Sequence, residues 1–160
     1  MGPGLELVLL LFVANGTPIL ARLWLGERLA WPVDGGQRLV DGNPLFGPSK
    51  TWRGLLLAPP VTAMASWLLG LGAGIGLLVG ALAMTGDLVA SFTKRRLGLP
   101  ASSRALVLDQ VPEALLPALG CMTLLELDWV AVAVVVAAFT VGSLLLSVVL
   151  FRLGIRERPW

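Results

Sequence analysis

All twelve Lys and Arg residues of this chain fall in or beside three short polar stretches, and the residues between those stretches are largely apolar. Arg28, Arg38, Lys50 and Arg53 lie in a stretch at about 25–53, and Lys94, Arg95, Arg96 and Arg104 in one at about 91–111. Arg152, Arg156 and Arg158 lie in the tail, and Arg22 closes the first apolar run. The runs cover about 4–24, 54–69, 75–90, 112–127 and 129–151. About 20 residues of helix cross a ~30 Å hydrocarbon core. The expected fold is therefore an all-α integral membrane protein, a single domain of five transmembrane helices. By the positive-inside rule the N-terminus lies outside, and both polar loops and the C-terminus are cytoplasmic. The opposite side carries Glu6, Glu126 and Asp128 and no basic residue. The fourth run is the weak element, because a segment that only dips into the membrane would move the tail to the other side.

Composition agrees. Of 160 residues 14% are charged, against roughly 25% in soluble domains, and the mean hydropathy is +0.85. There is no His and no Tyr, which removes imidazole chemistry, His-ligated metals and tyrosine acids. Cys121 is the single cysteine, so neither an internal disulfide nor a Cys-x-x-Cys site is available. No basic residue precedes the first run, which reads as a retained helix kinked at Pro18. Gly72, Gly76 and Gly80, four apart, form a close-packing face. That face suits helices of one chain or of two, so a homo-oligomer is compatible with it.

The chemistry sits in the polar stretches. The segment from Asp34 to Gly54 is broken by glycines and prolines and cannot be one long helix. Its bland reading is a hydrophilic connector. Asp34, Asp41, Asp87 and Asp109 are nevertheless confined to the same surface as Lys50, Arg53, Lys94, Arg95 and Arg96. Carboxylates that hold a divalent metal and cations that hold phosphate oxygens are the equipment of phosphoryl and nucleotidyl transfer, which needs no histidine. GNPLFGPSKT is not a phosphate-binding P-loop, since two residues separate Gly47 from Lys50 and no strand precedes it. Lys94-Arg95-Arg96 alone reads as a topology signal or an anchor for anionic lipid, and gains weight as part of a site from Gly86-Asp87 upstream and Leu108-Asp109-Gln110 downstream. Asp34 and Asp41 suit Asx turns as well as ligand contact. Ser91, one turn beyond Asp87, is either polar packing or a substrate contact.

DGNPLFGPSKTWRG at 41–54, GD-x3-SFTKRRLG at 86–98 and LDQ at 108–110 together resemble the CDP-archaeol synthase family, membrane cytidylyltransferases distantly related to CDP-diacylglycerol synthases. The resemblance runs from Asn15-Gly16 to the fifth helix. It implies a five-helix fold with the site in the cytoplasmic loops. It also implies CTP and Mg²⁺ (Mn²⁺ in its place) as partners, a membrane lipid phosphate of archaetidic-acid or phosphatidic-acid type as acceptor, and pyrophosphate as leaving group. Carried onto this chain, it suggests Asp87 and Asp109 as metal ligands. Lys94, Arg95 and Lys50 become the catalytic cations, and Arg53 a further phosphate contact. Asp34, Asp41, Asn43, Thr51, Ser91 and Gln110 become supporting substrate contacts. The family pattern continues Asp-Gln with an apolar residue and a second Asp. Here Pro112 holds that position, and Glu113 either stands in for the missing acid or is the first-turn acid of the fourth helix.

The non-catalytic alternative is a small membrane scaffold or transporter subunit. A transporter places ionisable residues mid-span, whereas Glu6, Asp87, Glu113 and Glu126 read as lying toward span ends. The chain is expected in the plasma membrane, with its site on the cytoplasmic side and no nucleic-acid partner.

Overall fold

The structure, a computed structural model, describes residues 2–100 and 105–152. Arg104, Arg156 and Arg158, three of the cations that set the expected topology, lie outside the described residues. Five helices follow one another: α1 (Pro3–Leu25), α2 (Trp52–Leu68), α3 (Ala73–Arg96), α4 (Leu106–Gly120) and α5 (Trp129–Arg152). Among the described residues, α1, α3 and α5 are long and apolar enough to cross a membrane. Helices α2 and α4 are shorter, at 17 and 15 residues.

Two boundaries differ from expectation, and both matter to the site. Helix α3 does not stop near residue 90 but runs through Lys94, Arg95 and Arg96, whose charges suit the negative end of the helix dipole. Helix α4 covers 106–120 rather than 112–127, and residues 121–126 form turns. Pro112 resembles a helix start, yet more than a turn of helix precedes it. The residues read as a second loop therefore lie largely on helices.

Helix α3 packs against α1, α2 and α4, while α5 packs against α1 and α4. The core joins Leu7, Leu10 and Leu11 of α1 to Val79 and Ala83 of α3, Ala114 and Ala118 of α4, and Phe139 of α5. Phe12 and Phe139 meet at 5.3 Å between ring centroids. Helix α1 continues through Pro18, and the side chains of Asn15 and Thr17 donate to the carbonyls of Leu11 and Val13. Only 11% of the most apolar window of α5 is buried, and Val130, Val134, Val141 and Leu145 point outward. An apolar surface of that extent belongs in lipid.

Glycines set the helix spacing. A Cβ on Gly76 would run into Thr62 and Ser66 of α2, and one on Gly80 into the backbone of Pro59. Pro59 has no N–H to lose at this contact, so α2 and α3 touch backbone to backbone. Gly72 does not join this face; it caps α3 with a φ of 86°, and a Cβ added there would meet nothing within 4 Å. Gly86 makes the corresponding contact with Pro112 and Glu113 of α4.

Candidate active site

Residues 26–51 form an irregular loop with hairpin-like pairing and no helix. At its base the Val33 N–H donates to the Lys50 carbonyl at 2.8 Å and the Trp52 N–H to the Trp31 carbonyl at 3.0 Å. At its tip the Leu39 N–H donates to the Asn43 carbonyl and the Leu45 N–H to the Gln37 carbonyl. Asp34 is buried inside, where its carboxylate accepts the N–H groups of Gly36 (3.0 Å), Phe46 (3.0 Å) and Gly47 (2.8 Å). Burial alone would raise the Asp34 carboxyl, but these backbone donors outweigh it and hold the group below the ordinary aspartate value. Asp34 thus folds the loop on itself. Asp41 closes the tip turn by accepting from the Asn43 N–H at 3.1 Å.

Helix α3 anchors this loop at two points. Arg96 donates to Asp41 at 2.7 Å and to the Pro44 carbonyl at 2.6 Å, and its guanidinium lies 5.2 Å from the Phe92 ring centroid. Further back on α3, Asp87 meets Lys50. The Lys50 ammonium donates to both Asp87 oxygens, at 2.5 and 2.7 Å. Burial would lower the Lys50 pKa, but the Asp87 carboxylate outweighs it and holds the ammonium above the usual lysine value. Arg53 reaches the other way. Its Nη1 donates to the carbonyls of Gly26 (2.5 Å) and Arg28 (2.8 Å), clamping the start of the loop against the end of α1.

Asp87, Ser91 and Lys94 lie at i, i+4 and i+7, so they share one stripe of α3. Lys94 pairs with Asp109 of α4 at 2.5 Å, and Asp109 also accepts the Ala105 N–H at 3.2 Å. Glu113, one turn beyond Asp109, shares a hydrogen bond with Asp87. The close approach of Gly86 to Pro112 and Glu113 makes that meeting possible. Lys50, Asp87, Glu113, Asp109 and Lys94 thus form one electrostatic cluster contributed by the loop, α3 and α4.

The remaining expected residues fall around the cluster. Thr51 is the N-cap residue of α2 and, with Lys50, Asp87 and Leu88, lines a small pocket. Ser91 is buried in α3. Arg95 is buried and donates to the Pro100 carbonyl at 2.9 Å, which turns it toward its own helix end. Gln110 adjoins Asp109, with its Oε1 buried and unbonded to protein. Asp34 and Asn43 are engaged in folding the loop.

Two sequence expectations change here. Glu113 is not a first-turn acid, because α4 begins seven residues earlier. Asp87 and Glu113 do not lie at helix ends; both sit inside helices, hydrogen-bonded to each other, with the Lys50 ammonium supplying the opposite charge. The i, i+4 spacing of Asp109 and Glu113 was the available signal for Glu113, hidden by the proline between them.

The fold resembles that of a solved protein described as an intramembrane enzyme for archaeal membrane lipids biosynthesis, with a TM-score of 0.73 and 30% identity over 87% of this chain and 89% of that one. The fold and this likeness together define a membrane-embedded enzyme. A family model described as "CarS-like: CDP-archaeol synthase" matches residues 62–160. The CDP-archaeol synthase of Aeropyrum pernix is 37% identical over 98% of this chain and 92% of its own length. That of Hyperthermus butylicus is 39% identical over 61% of this chain, a match spanning 59% of the relative. The chain belongs to the CDP-archaeol synthase family. It is a CTP-dependent cytidylyltransferase acting on a lipid phosphate in a membrane.

The contacts of Arg96 yield a prediction. Arg96→Gln should raise the KM for CTP by several-fold to tenfold, with a smaller change in kcat, because charge-assisted hydrogen bonds hold the loop that carries Lys50. Amide exchange across 37–47 should accelerate in parallel. Arg96→Lys should recover part of both, and unchanged exchange in Arg96→Gln would refute the anchoring role.

Proposed function

We propose that the acceptor is an isoprenoid-ether lipid phosphate of the archaetidic-acid type, and that CMP passes to it at the Lys50–Asp87–Glu113–Asp109–Lys94 cluster. The relatives' shared name supports the acceptor. The observation that carries the site is the direct contact of Lys50 with Asp87 and of Lys94 with Asp109 on facing elements. An oxygen of the lipid phosphate attacks the α-phosphorus of CTP, and the bond to the β-phosphate oxygen breaks to release pyrophosphate. The attacking oxygen is already anionic at neutral pH, so no strong base is required. The task left to the protein is to hold two anions together, which Lys50 and Lys94 accomplish by charge and orientation. Arg95, one residue from Lys94, adds positive charge beside Asp109.

The residues fit a divalent cation. Among the described residues no group of three or more acids stands in a metal-holding arrangement. Mg²⁺, however, commonly takes only one or two protein carboxylates and fills its remaining positions with water and phosphate oxygens. Asp87, with Glu113 hydrogen-bonded to it, and Asp109 would supply those carboxylates. The chemistry supplied by a bound Mg²⁺ or Mn²⁺ is neutralisation of the triphosphate. The test is the product pair: CDP-lipid and pyrophosphate in equal amounts, dependent on CTP and divalent metal, with the isoprenoid-ether phosphate used in preference to a diacyl phosphate. A phosphate-free lipid alcohol should yield neither product, and CTP hydrolysis without CDP-lipid would overturn this reading.

All five helices span the membrane in this proposal, with the N-terminus outside and the loop of 26–51 on the cytoplasmic side of the plasma membrane. The segregation of basic residues supports that orientation. Cys121 is buried, and Ser49 and Asp128 are exposed. In a Cys121→Ser background, Ser49→Cys should be blocked only by reagents that reach the cytoplasm, and Asp128→Cys should react from outside. Labelling of both from one face would contradict the five-span arrangement.

A further inference from the structure

We infer that Lys50 holds the divalent-cation position in reserve, so that metal and nucleotide can enter the site only together. The inference rests on the transferase reading above. The Lys50 ammonium contacts both oxygens of Asp87, the place a metal ion takes on a bidentate carboxylate. Glu113 contacts the same Asp87. A hydrogen bond between two carboxyl groups needs one shared proton, so the pair carries a single negative charge, which the Lys50 ammonium already compensates in a largely buried setting, with the side chains of Lys50 and Asp87 22% and 21% exposed.

Each substrate component alone would disturb that balance. A divalent ion arriving without nucleotide must displace Lys50, leaving a buried ammonium beside a like charge. A triphosphate arriving without metal must draw Lys50 away, leaving the Asp87 carboxylate without the ammonium that compensates it. Both outcomes strand charge in a site of low dielectric. When metal and triphosphate arrive together, the ion takes the carboxylates and Lys50 takes the phosphate, so every charge keeps a partner. The lysine stem is flexible and is carried on the loop rather than on a helix, which permits the transfer. Linkage then requires each ligand to strengthen binding of the other by the same factor.

The arrangement predicts two gains of binding, which misfolded protein would not produce. Full-length protein in a neutral detergent is titrated with Mn²⁺ alone, with the free ion read by electron paramagnetic resonance. Lys50→Met should bind Mn²⁺ about tenfold more tightly than the native chain, because Asp87 and Glu113 lose their resident cation. In EDTA, labelled CTP alone should bind Asp87→Asn about tenfold more tightly than the native chain, because Lys50 is released. The double variant Lys50→Met/Asp87→Asn should show neither gain. Absence of either gain overturns the inference. Pyrophosphate release by the native chain with CTP and lipid phosphate is measured separately, so failure of the transferase reading is distinguished from failure of this coupling.

Discussion

Asp87→Asn and Asp109→Asn are each expected to lower CTP turnover by about 10²–10³-fold, the scale on which a preorganised electrostatic contact to a developing charge is lost. Asp87 carries the larger expectation, because it meets Lys50 through both oxygens and Glu113 as well. Asn keeps the shape and removes the charge, leaving Lys50 without its counterion in the present arrangement. Asp109 pairs with Lys94 and accepts the Ala105 N–H at the start of α4, so its loss also loosens that helix start. The check is the rate of pyrophosphate release by purified variants that retain native thermal stability, at low and high Mg²⁺. Near-native turnover in either variant would remove that residue from the reacting centre.

Gly86→Ala is expected to be nearly as severe, although it changes no charge and adds one methyl group. That methyl would enter the backbone of Pro112 and Glu113, where no flexible side chain can yield. Overpacking of this kind costs about 1–3 kcal/mol of stability. The functional loss should be larger in proportion, since α3 and α4 must separate and carry Asp87 away from Glu113. A displacement near 1 Å can lower a rate by about a hundredfold. Gly16→Ala is the matched control: nothing lies within 4 Å of its added methyl, and alanine favours a helix interior. Thermal unfolding and turnover measured on both variants decide the matter. Equal behaviour of the two would show that the contact between α3 and α4 does not set the site.

How much of this was legible from the residues alone varies with the physics of each feature. The five helices were readable because long apolar runs and clustered cations are local signals. The ends of α3 and α4 were not, because a run of charges resembles a helix end and Pro112 resembles a helix start. In the structure Arg96 finds acceptors in the loop, and α4 carries Pro112 within it. Asp87, Lys94 and Asp109 were identified from their neighbours in sequence, but their pairing depends on packing. The link of Lys50 to Asp87, 37 residues apart, has no sequence signature at all. Asp34 suits an Asx turn as well as a ligand contact, and the family resemblance makes Arg53 a phosphate contact. In the structure both contact backbone groups that the irregular loop leaves without helix partners. Glu113 was one of two open readings, and only the approach of α3 at Gly86 brings it to Asp87.

The brevity of α4 bears on the membrane itself. Fifteen residues of helix extend about 22 Å, short of the ~30 Å of an average hydrocarbon core. Such hydrophobic mismatch is relieved by thinning of the surrounding bilayer or by drawing the flanking segments inward. In the five-span arrangement proposed above, the headgroup plane beside α4 would then lie closer to the bilayer centre than it does beside α1, α3 and α5. Asp109 sits on this helix and pairs with Lys94, so a lipid phosphate would reach that ammonium without being pulled far out of its leaflet. Membrane thickness would in that arrangement be a variable of the reaction: lipids that resist thinning would hold the acceptor phosphate away from Lys94, with no residue of the protein changed.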